Sequence, residues 1–593
     1  MATNSKGDEA APQTALAKAG SLAHRFFFDT LASRSSLESF VIRLVIPRIR
    51  GQIIRSDIIE GRLLGCEVVT AVSSLADPLQ FFDGEPVQCG LPEAIPKALA
   101  SAAGAILLGD ITDFDSRLHT LDEELQNRLS FHWISPKRLE RKTLALVEGG
   151  RRDPNHGGNG ETVFKAAYAF GIDMVVLDNP GHWLQGPQWA RWRTAFLAME
   201  CGLQSDAVFT QRVVDTIRAW GGHLDGLTTF CDHYKEPVAE AALILGLPTQ
   251  SPLTYALATD KFRLRRFEGS EAHLANDVDS AIAAVKDHDL KFPLIIKPVT
   301  GYLSEGVTRV ENLDQLKVGV KTIDAERHGT AFAIEQYCEG PEVDANFVLA
   351  GGDLLFFEVS DEFPKGADVN SHGHLPTFIE LGNVIPSKLP AVEVSALRDH
   401  LYRSLIRLGF TDGVFHLEAR VQHSSMAYVV RDSTFDLYPC ENQSGKQPSA
   451  WLIEVNPRPP AQMESDAIKH TYGIDYWGLA VLFGIHDQDR VAALSHPFAQ
   501  GAQYWCQMVF IPAEKGGIYD TEDACGELLE RRPELKTQVS WCANYFSKGA
   551  TVPDPGSGIN AWVAHLNVFS RESRRRVLEL GEIVRQHFRY SIL

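Results

Sequence analysis

Two short segments of the chain alternate apolar residues with polar or charged ones, a pattern typical of β-strands with two chemically different faces. They span residues 414–420 and 451–458. The residues on their polar faces are His416, Glu418 and Arg420 in the first segment and Glu454, Asn456 and Arg458 in the second. If the strands lie side by side, two carboxylates and an amide oxygen meet, and Mg²⁺ prefers such ligands. The alternative is two edge strands whose charged faces are merely solvated.

The rest of the chain predicts a multidomain α/β protein. At 593 residues it is too long for one hydrophobic core, and a prior of about 150 residues per domain gives about four domains or subdomains. Hydrophobic residues make up 44% and charged residues 22%, which excludes a disordered, collagen-like or coiled-coil chain.

The charge balance argues against two classes of partner. Lys and Arg number 57 against 76 Asp and Glu, a net charge of −19. A protein that binds the nucleic-acid backbone normally has a basic surplus, and an acidic chain is repelled by an anionic membrane. We therefore expect neither nucleic acid nor a membrane as partner. ATP remains compatible, because a few local cations and a divalent ion can hold a triphosphate.

Cysteine usage and the N-terminus indicate the compartment. The nine cysteines are scattered, odd in number and without a CxxC pair, which argues against zinc and against a disulfide framework. The first twenty residues lack the apolar stretch of a signal peptide, and no run of about 18 apolar residues occurs. These features predict a cytoplasmic protein.

Hydrophobic patterning divides the chain into five parts. The predicted parts are a disordered tail at 1–20, an α/β region of unknown role at 21–142, a doubly wound domain at 143–255, a two-lobed domain at 256–500 and a C-terminal subdomain at 501–593. In the doubly wound part, the predicted strands are 144–147, 174–177 and 227–230, and the predicted helices are 161–170, 211–220 and 238–245. Elsewhere, strands are expected at 41–46, 66–71, 504–511 and 562–568, with a final helix at 571–587. We expect the region before residue 143 to serve packing or a possible homodimer.

One glycine-rich loop resembles a dinucleotide motif without matching it. The loop sequence GGRRDPNHGGNG begins at residue 149, shortly after a predicted strand. A GxGxxG motif runs directly from strand into helix, whereas Arg-Arg-Asp-Pro intervenes here. The loop therefore predicts a crevice at a sheet edge and disfavours a nicotinamide or flavin site.

A second group of motifs suits a polyphosphate. The apolar strand at 292–298 ends near Lys297 and leads into a loop with Ser304 and Gly306. An ammonium group beside backbone N–H donors can hold phosphate oxygens, although a hairpin with a surface lysine has the same pattern. About forty residues later, the segment 334–342 bends at Gly340-Pro341, as an interlobe hinge beside a nucleotide does; alternatively it is an isolated acidic turn.

Taken in order, these motifs resemble the ATP-grasp superfamily, and most of all its carboxylate–amine ligases, such as the L-amino acid ligases and carnosine synthases. The motifs are Asp260-Lys261 before a helix, Lys297 with its Gly/Ser loop, the hinge, Glu418, and Glu454-Val455-Asn456-Pro457-Arg458. The resemblance covers roughly residues 143–593. It departs from the common pattern at Pro459-Pro460-Ala461, where a glycine often follows the arginine, and in the long connection 426–450.

The resemblance implies a role for each motif. It places Lys261 and Lys297 at the ATP phosphates, Ser304 and Gly306 in the covering loop, Glu335, Gln336 and Tyr337 at adenine, Glu342 at ribose, and Glu418, Glu454 and Asn456 at Mg²⁺ (or Mn²⁺). Arg458 is expected at the reacting phosphates or at a substrate carboxylate. Lys365, His372 and His374 are expected to contact a carboxylate or an acyl phosphate, unless the segment 360–380 is only a solvated loop.

The expected activity is the ATP-dependent joining of a small carboxylic acid to the amine of an amino acid through an acyl phosphate, with release of ADP. The alternatives are a carboxylase or kinase with another acceptor, and a nucleotide-binding regulator without turnover. No biotin-carrier Met-Lys-Met motif is present, which weakens the carboxylase, and the complete set of charged motif residues disfavours the regulator.

Overall fold

The computed structural model describes residues 40–84, 97–108, 113–151, 153–154, 160–301, 304–368, 378–432, 434–441, 445–557 and 559–593, and the pairs 25–26 and 29–30. The predicted tail 1–20 and the candidates His372 and His374 lie outside these residues. The chain is mixed α/β, as its patterning predicts. Among the described residues, no helix has both the length and the apolar character needed to cross a bilayer.

In the part that the structure describes, the N-terminal region contains two small antiparallel sheets, ordered β1-β5-β3 and β4-β2-β6, together with helices and a short helical stretch at residues 97–101. Its elements are β1 (Val41–Val45), β2 (Gly51–Ile53), α1 (Ile58–Arg62), β3 (Ala71–Ser74), β4 (Phe81–Phe82), β5 (Gly104–Leu108), α2 (Phe114–Leu129) and β6 (Ile134–Ser135). The predicted strand at 66–71 is wrong, because the chain turns there. The amide of Val69 donates to the carbonyl of Cys66, and β3 begins only at Ala71.

The next region is a doubly wound parallel sheet in the order β10-β7-β8-β9. Its elements are β7 (Lys142–Val147), α3 (Glu161–Phe170), β8 (Ile172–Asp178), β9 (Ala195–Ala198), α4 (Phe209–Trp220), β10 (Gly226–Thr229) and α5 (Lys235–Ile244), with 3₁₀ turns at Trp183–Gln185, Pro187–Trp192 and Asp232–Tyr234. Helix α3 packs on one face of the sheet, and α4 and α5 pack on the other. The predicted strands and helices of this part are confirmed within a few residues.

A small antiparallel sheet in the order β11-β14-β12-β13 follows. Its region contains α6 (Pro252–Thr259), α7 (Lys261–Phe267), β11 (Ala272–Ala275), α8 (Val278–Asp287), β12 (Leu294–Pro298), β13 (Thr308–Val310), α9 (Leu313–Lys321), α10 (Ala325–His328) and β14 (Phe332–Gln336). In β12, Leu294 and Ile296 pack with α8 and α9. Strand alternation therefore turns Ile295 and Lys297 to the opposite face.

The remaining strands form one antiparallel sheet of eight in the order β21-β18-β15-β16-β17-β22-β26-β24. The elements from here to the C-terminus are β15 (Glu342–Ala350), β16 (Asp353–Glu362), β17 (Gly382–Ile385), α11 (Ala391–Leu408), β18 (Gly413–Gln422), β19 (Met426–Arg431), β20 (Thr434–Pro439), β21 (Ser449–Asn456), α12 (Gln462–Tyr472), α13 (Tyr476–Gly484), α14 (Gln488–Leu494), β22 (Trp505–Pro512), β23 (Gly517–Ile518), α15 (Ala524–Arg531), β24 (Val539–Asn544), β25 (Thr551–Val552), β26 (Trp562–Ser570) and α16 (Arg574–His587), with 3₁₀ turns at Pro533–Thr537 and Pro555–Ser557.

One face of this sheet forms hydrophobic cores with α11 and α16. The other face is free of these helices and carries the polar rows of β15 and β18. Three strands that follow residue 501 belong to the same sheet as the strands before it, so the predicted boundary at 501 runs through a continuous sheet.

Candidate active site

A cavity of about 350 Å³ is lined by residues of both the four-stranded and the eight-stranded sheet. The small sheet contributes Lys297 from β12 and Glu335 from β14. The large sheet contributes Glu418 and Glu454. The motifs that lie far apart in the sequence therefore meet in one cavity, as their order predicts.

The two alternating segments are neighbouring antiparallel strands, as predicted. Glu418 of β18 lies opposite Glu454 of β21, and His416 lies opposite Asn456. The intervening Leu417 points into the hydrophobic core under the sheet. Two carboxylates and an amide thus share one patch of the cavity surface.

This patch fits a divalent cation. Glu418 is half-buried, and among the described residues it forms no hydrogen bond or ion pair. Burial raises the pKa of Glu418 well above its usual value, and the neighbouring charge of Glu454 raises it further. A Mg²⁺ ion bound by Glu418, Glu454 and Asn456 would relieve this repulsion with the oxygen ligands it prefers.

Both predicted phosphate lysines lie in the cavity, and each is paired with a carboxylate. Lys261, the first residue of α7, has its Nζ 2.6 Å from an oxygen of Glu454. Lys297 Nζ lies 2.7 Å from Glu335, whose other oxygen accepts from Arg265 at 2.8 Å. Burial lowers the pKa of Lys297, and the neighbouring carboxylate of Glu335 offsets only part of this shift. These cations are buried beside a cavity, where a triphosphate would find charge with little competing water.

Arg458 is held by a residue from another region of the chain. Its Nε donates to Asp232 Oδ2 at 2.9 Å, and the amide of Asn456 donates to the same oxygen at 3.3 Å. Asp232 begins the 3₁₀ turn after β10, so the doubly wound region positions Arg458 and Asn456. No sequence signal pointed to Asp232, because only the tertiary fold brings it to the site.

The predicted nucleotide hinge lines the cavity, but two of its carboxylates are already bound by cations. Glu335 pairs with Lys297 and Arg265. Glu342 accepts from Lys365 at 2.7 Å and from Arg420. The adenine and ribose roles of Glu335 and Glu342 therefore remain predictions.

The other two hinge residues have different environments. Gln336 is exposed and donates to the carbonyl of Pro293 at 3.0 Å. The hydroxyl of Tyr337 donates to Asp368 at 2.8 Å, and the guanidinium of Arg309 lies 4.2 Å from the centre of its ring. Both residues lie on the cavity wall, where the hinge prediction places them.

The predicted phosphate loop is described from Ser304 onward. Ser304 has a φ of 54° and lines the cavity. Gly306 has a φ of 73°, a conformation that glycine adopts without the penalty of a Cβ atom. Lys365 also lines the cavity, but Glu342 and Glu362 bind its ammonium group at 2.7 and 2.6 Å.

Several acidic residues of the cavity were missed by the sequence analysis. They are Asp344, Glu380 and Glu464. Asp344 could have been found, because Glu342, Asp344 and Asn346 alternate with apolar residues just as His416 and Glu418 do. Glu464 lies on helix α12, and its spacing in the sequence gives no sign of this position.

Family models and relatives agree with the geometry. Residues 290–431 match the ATP-grasp domain, and residues 164–249 match the ATP-grasp N-terminal domain. The ATP-grasp enzyme fsqD of Aspergillus fumigatus is 42% identical over 576 residues, covering 95% of this chain and 100% of that relative. Human (Homo sapiens) carnosine synthase 1 is 25% identical over 378 residues, covering 58% of this chain and 40% of that protein.

Solved structures show the same fold. The L-amino acid ligase from Bacillus licheniformis aligns with a TM-score of 0.57 at 18% identity, covering 77% of this chain and 100% of that one. Phosphoribosylglycinamide synthetase from Anaerococcus prevotii aligns with a TM-score of 0.50 at 13% identity over 77% of this chain and 100% of that chain. With a relative of 42% identity matched along its whole length, the chain belongs to the ATP-grasp family of ATP-dependent ligases.

Proposed function

We propose that this chain is a Mg²⁺- and ATP-dependent ligase that activates a carboxylic or amino acid as an acyl phosphate and joins it to the amine of an amino acid. The products are an amide or dipeptide, ADP and phosphate. The observation that supports this most is the opposition of Glu418 and Glu454 across β18 and β21, beside the buried Lys261. The names of the relatives, a carnosine synthase and an L-amino acid ligase, agree with it.

The cationic side chains would bind phosphate groups, and the carboxylates would bind the metal ion. Lys261 and Lys297 would bind phosphate oxygens, exchanging part of their present pairing with Glu454 and Glu335 for the substrate. Glu418, Glu454 and Asn456 would hold the divalent ion, which supplies neutralisation of phosphate charge when bound. Arg458 would contact either the transferring phosphoryl group or a substrate carboxylate, because its planar fork suits both.

The reaction balances without a covalent enzyme intermediate. An oxygen of the substrate carboxylate attacks the γ-phosphorus, ADP leaves, and an acyl phosphate forms. The amine nitrogen then attacks the acyl carbon, loses a proton, and expels inorganic phosphate as the amide forms. The buried cavity would keep water from the acyl phosphate during this sequence.

A matrix of paired substrates tests this proposal. Purified protein is incubated with MgATP and every pair from a set of carboxylic acids and amino acids, and phosphate release is measured in each well. The products in the positive wells are then identified by mass spectrometry. We expect phosphate release that requires both an acid and an amine, together with a product whose mass is the sum of the two minus water. Phosphate release without any amine, or phosphorylation of a single substrate as the end product, would contradict a ligase.

A further inference from the structure

Part of the cavity is lined by several carboxyl groups, and burial together with the neighbouring carboxyl groups raises the pKa of Asp344 and of Glu464 well above their usual values. Asp344, Glu380 and Glu464 line it, and among the described residues none of them pairs with a lysine or an arginine. Lys365, the cation beside them, is taken by Glu342 and Glu362. Buried carboxylates normally have a cationic partner, because unpaired charge is costly away from water.

Three buried side chains there converge on one point, and we call them the anionic floor: Asp344, His416 and Glu464. One nitrogen or oxygen atom from each lies within 4.8 Å of those of the other two. Asp344 is 4% exposed, and its Oδ1 has no nitrogen donor among the described residues, although the carboxyl group of Glu362 lies within hydrogen-bonding reach of this side chain. An acceptor of this kind, buried and directed into a cavity, calls for a donor or a cation from a ligand.

Hydrogen bonds orient His416 as an acceptor too. The amide nitrogen of Asn346 donates to Glu358 at 2.6 Å and to Glu464 at 2.7 Å, so its oxygen must face His416. His416 Nδ1, 2.9 Å from that oxygen, then carries the proton. In the neutral ring, Nε2 is left as a lone-pair acceptor. The carboxyl oxygens of Asp344 and Glu464 are therefore the principal acceptors of the anionic floor, since the His416 nitrogen that lies 3.8 Å from Glu464 is the protonated Nδ1.

The wall next to the floor is apolar, and we call its three residues the apolar wall: Met508, Phe510 and Trp562. They come from β22 and β26, and all three line the cavity. The rings of Phe510 and Trp562 lie 4.7 Å apart, and the indole N–H of Trp562 donates to the carbonyl of Glu380 at 3.0 Å, which fixes the ring. A hydrated metal ion needs oxygen ligands on all sides, whereas this wall offers carbon and an aromatic face that attracts ammonium groups.

We propose that the anionic floor and the apolar wall form the site for the amine substrate, and that this substrate is a primary ammonium compound with an apolar body about the size of a benzyl group. The ammonium group lies against the anionic floor, and its body lies against the apolar wall. The floor repels a carboxylate, so the amino end of the substrate faces it. That this ammonium compound is a substrate rests on the proposed ligase function. Its binding to the site does not depend on that function.

Calorimetry with simple probes tests the site. The full-length protein is saturated with Mg²⁺ and a non-hydrolysable ATP analogue, and titrated in turn with phenethylamine, hydrocinnamate and methylamine. We expect phenethylamine to bind, hydrocinnamate not to displace it, and methylamine to bind at least about tenfold more weakly because it lacks the apolar body. Displacement of phenethylamine by hydrocinnamate would overturn the proposal, and so would equal affinity for phenethylamine and methylamine.

Two variants and a metal probe separate the alternatives. Glu464→Gln should weaken phenethylamine binding by about tenfold or more without changing affinity for the ATP analogue, while Glu534→Gln, at an exposed surface site, should change neither. A Mn²⁺ titration of both proteins is followed by electron paramagnetic resonance. Loss of one Mn²⁺ in Glu464→Gln with unchanged phenethylamine affinity would show a metal site and overturn the proposal. Amide formation from a substrate pair without phenethylamine binding would refute this site alone, whereas amine binding without any turnover would refute only the ligase.

Discussion

At the scale of single residues, the alternation of side chains along a β-strand made the positions of the proposed metal ligands predictable. Glu418, Glu454 and Asn456 lie on the polar faces of two strands, and the structure pairs those strands as expected. The same period did not reveal the partners of these residues. Glu335 and Glu342 looked free in the sequence, but the fold brings Arg265 and Arg420 to them from other elements. Ion pairs between residues of different strands and helices leave no local pattern in the sequence.

The first prediction concerns Lys297 and Glu454. Lys297→Ala removes a cation beside the expected phosphates, and Glu454→Ala removes a proposed metal ligand and the partner of Lys261. Each should reduce kcat for ADP formation about 100-fold or more, because both act where phosphate charge develops. ADP formation is measured with the best substrate pair, and circular dichroism checks the fold.

Lys291→Ala is the matched control, because Lys291 is an exposed lysine shortly before the same strand. It should retain wild-type kcat. Full activity of Lys297→Ala or Glu454→Ala in a Mg²⁺-dependent assay would remove these residues from the site.

The second prediction uses the pH dependence of stability. Burial raises the pKa of Glu358 to about 8, although hydrogen bonds from Asn346 and Tyr476 oppose the shift. An unfolded chain ionises this carboxyl near pH 4.3. Between these values the folded chain holds a proton that the unfolded chain has released, so this group lowers stability as the pH rises from about 4 to about 8.

Glu358→Gln replaces this carboxyl with a neutral amide of the same shape. We expect its Tm advantage over the wild type to grow between about pH 5 and about pH 8, because only the wild type has a proton to lose there. Thermal unfolding of both proteins across this range is the measurement, and Glu579→Gln, at a partly exposed helix position, is the control. A constant Tm difference across the range would contradict an elevated pKa at Glu358.

At the scale of elements, local patterning placed nearly all the strands and helices that it predicted but misplaced one. Helix α3 ends at Phe170 because Gly171 takes a φ of 69°, which is a stop signal readable in the sequence. The segment 66–71 has β-forming residues, yet backbone turns at Cys66 and Val69 keep all but its last two residues out of the sheet. The tertiary fold overrode the strand propensity there.

The third prediction concerns the contact between β10 and α13. A Cβ atom on Gly226 would lie 1.8 Å from the backbone carbonyl oxygen of Gly484, which cannot move without shifting the helix. Gly226→Ala should therefore lower Tm by several degrees and reduce solubility. Gly61→Ala is the control, since a Cβ there meets nothing closer than 3.6 Å. An unchanged Tm for Gly226→Ala would contradict this packing.

At the scale of the whole molecule, the N-terminal region forms hydrogen bonds and an ion pair with the segment that follows β21. Arg55 Nη1 donates to Asp475 Oδ2 at 2.5 Å, and Arg62 donates to the carbonyls of Gly473 and His496. The sequence predicted a packing role for residues 21–142 but could not name the surface they cover. The reason is that these contacts join residues more than 400 positions apart in the sequence.

The fourth prediction concerns the ion pair between Arg55 and Asp475. Arg55→Met removes the nearer of two cations beside a largely buried carboxylate, leaving only Lys469 at 3.9 Å, and should lower the free energy of unfolding by about 3 kcal/mol. The double variant Arg55→Met/Asp475→Asn should recover part of that loss. Arg43→Met, which breaks an exposed pair with Asp122, should cost under about 1 kcal/mol. Urea unfolding measures all three, and equal losses for Arg55→Met and Arg43→Met would contradict the account.

The most direct test of the central claim follows oxygen from the acid substrate. The acid of an active pair is prepared with ¹⁸O in both carboxylate positions, and the released phosphate is analysed by mass spectrometry after one round of amide formation. An acyl phosphate requires one labelled oxygen to leave with phosphate and the other to remain in the amide carbonyl. We therefore expect one ¹⁸O atom in each phosphate released. Unlabelled phosphate, with both labels retained in the acid or lost to water, would contradict activation of a carboxylate in this cavity.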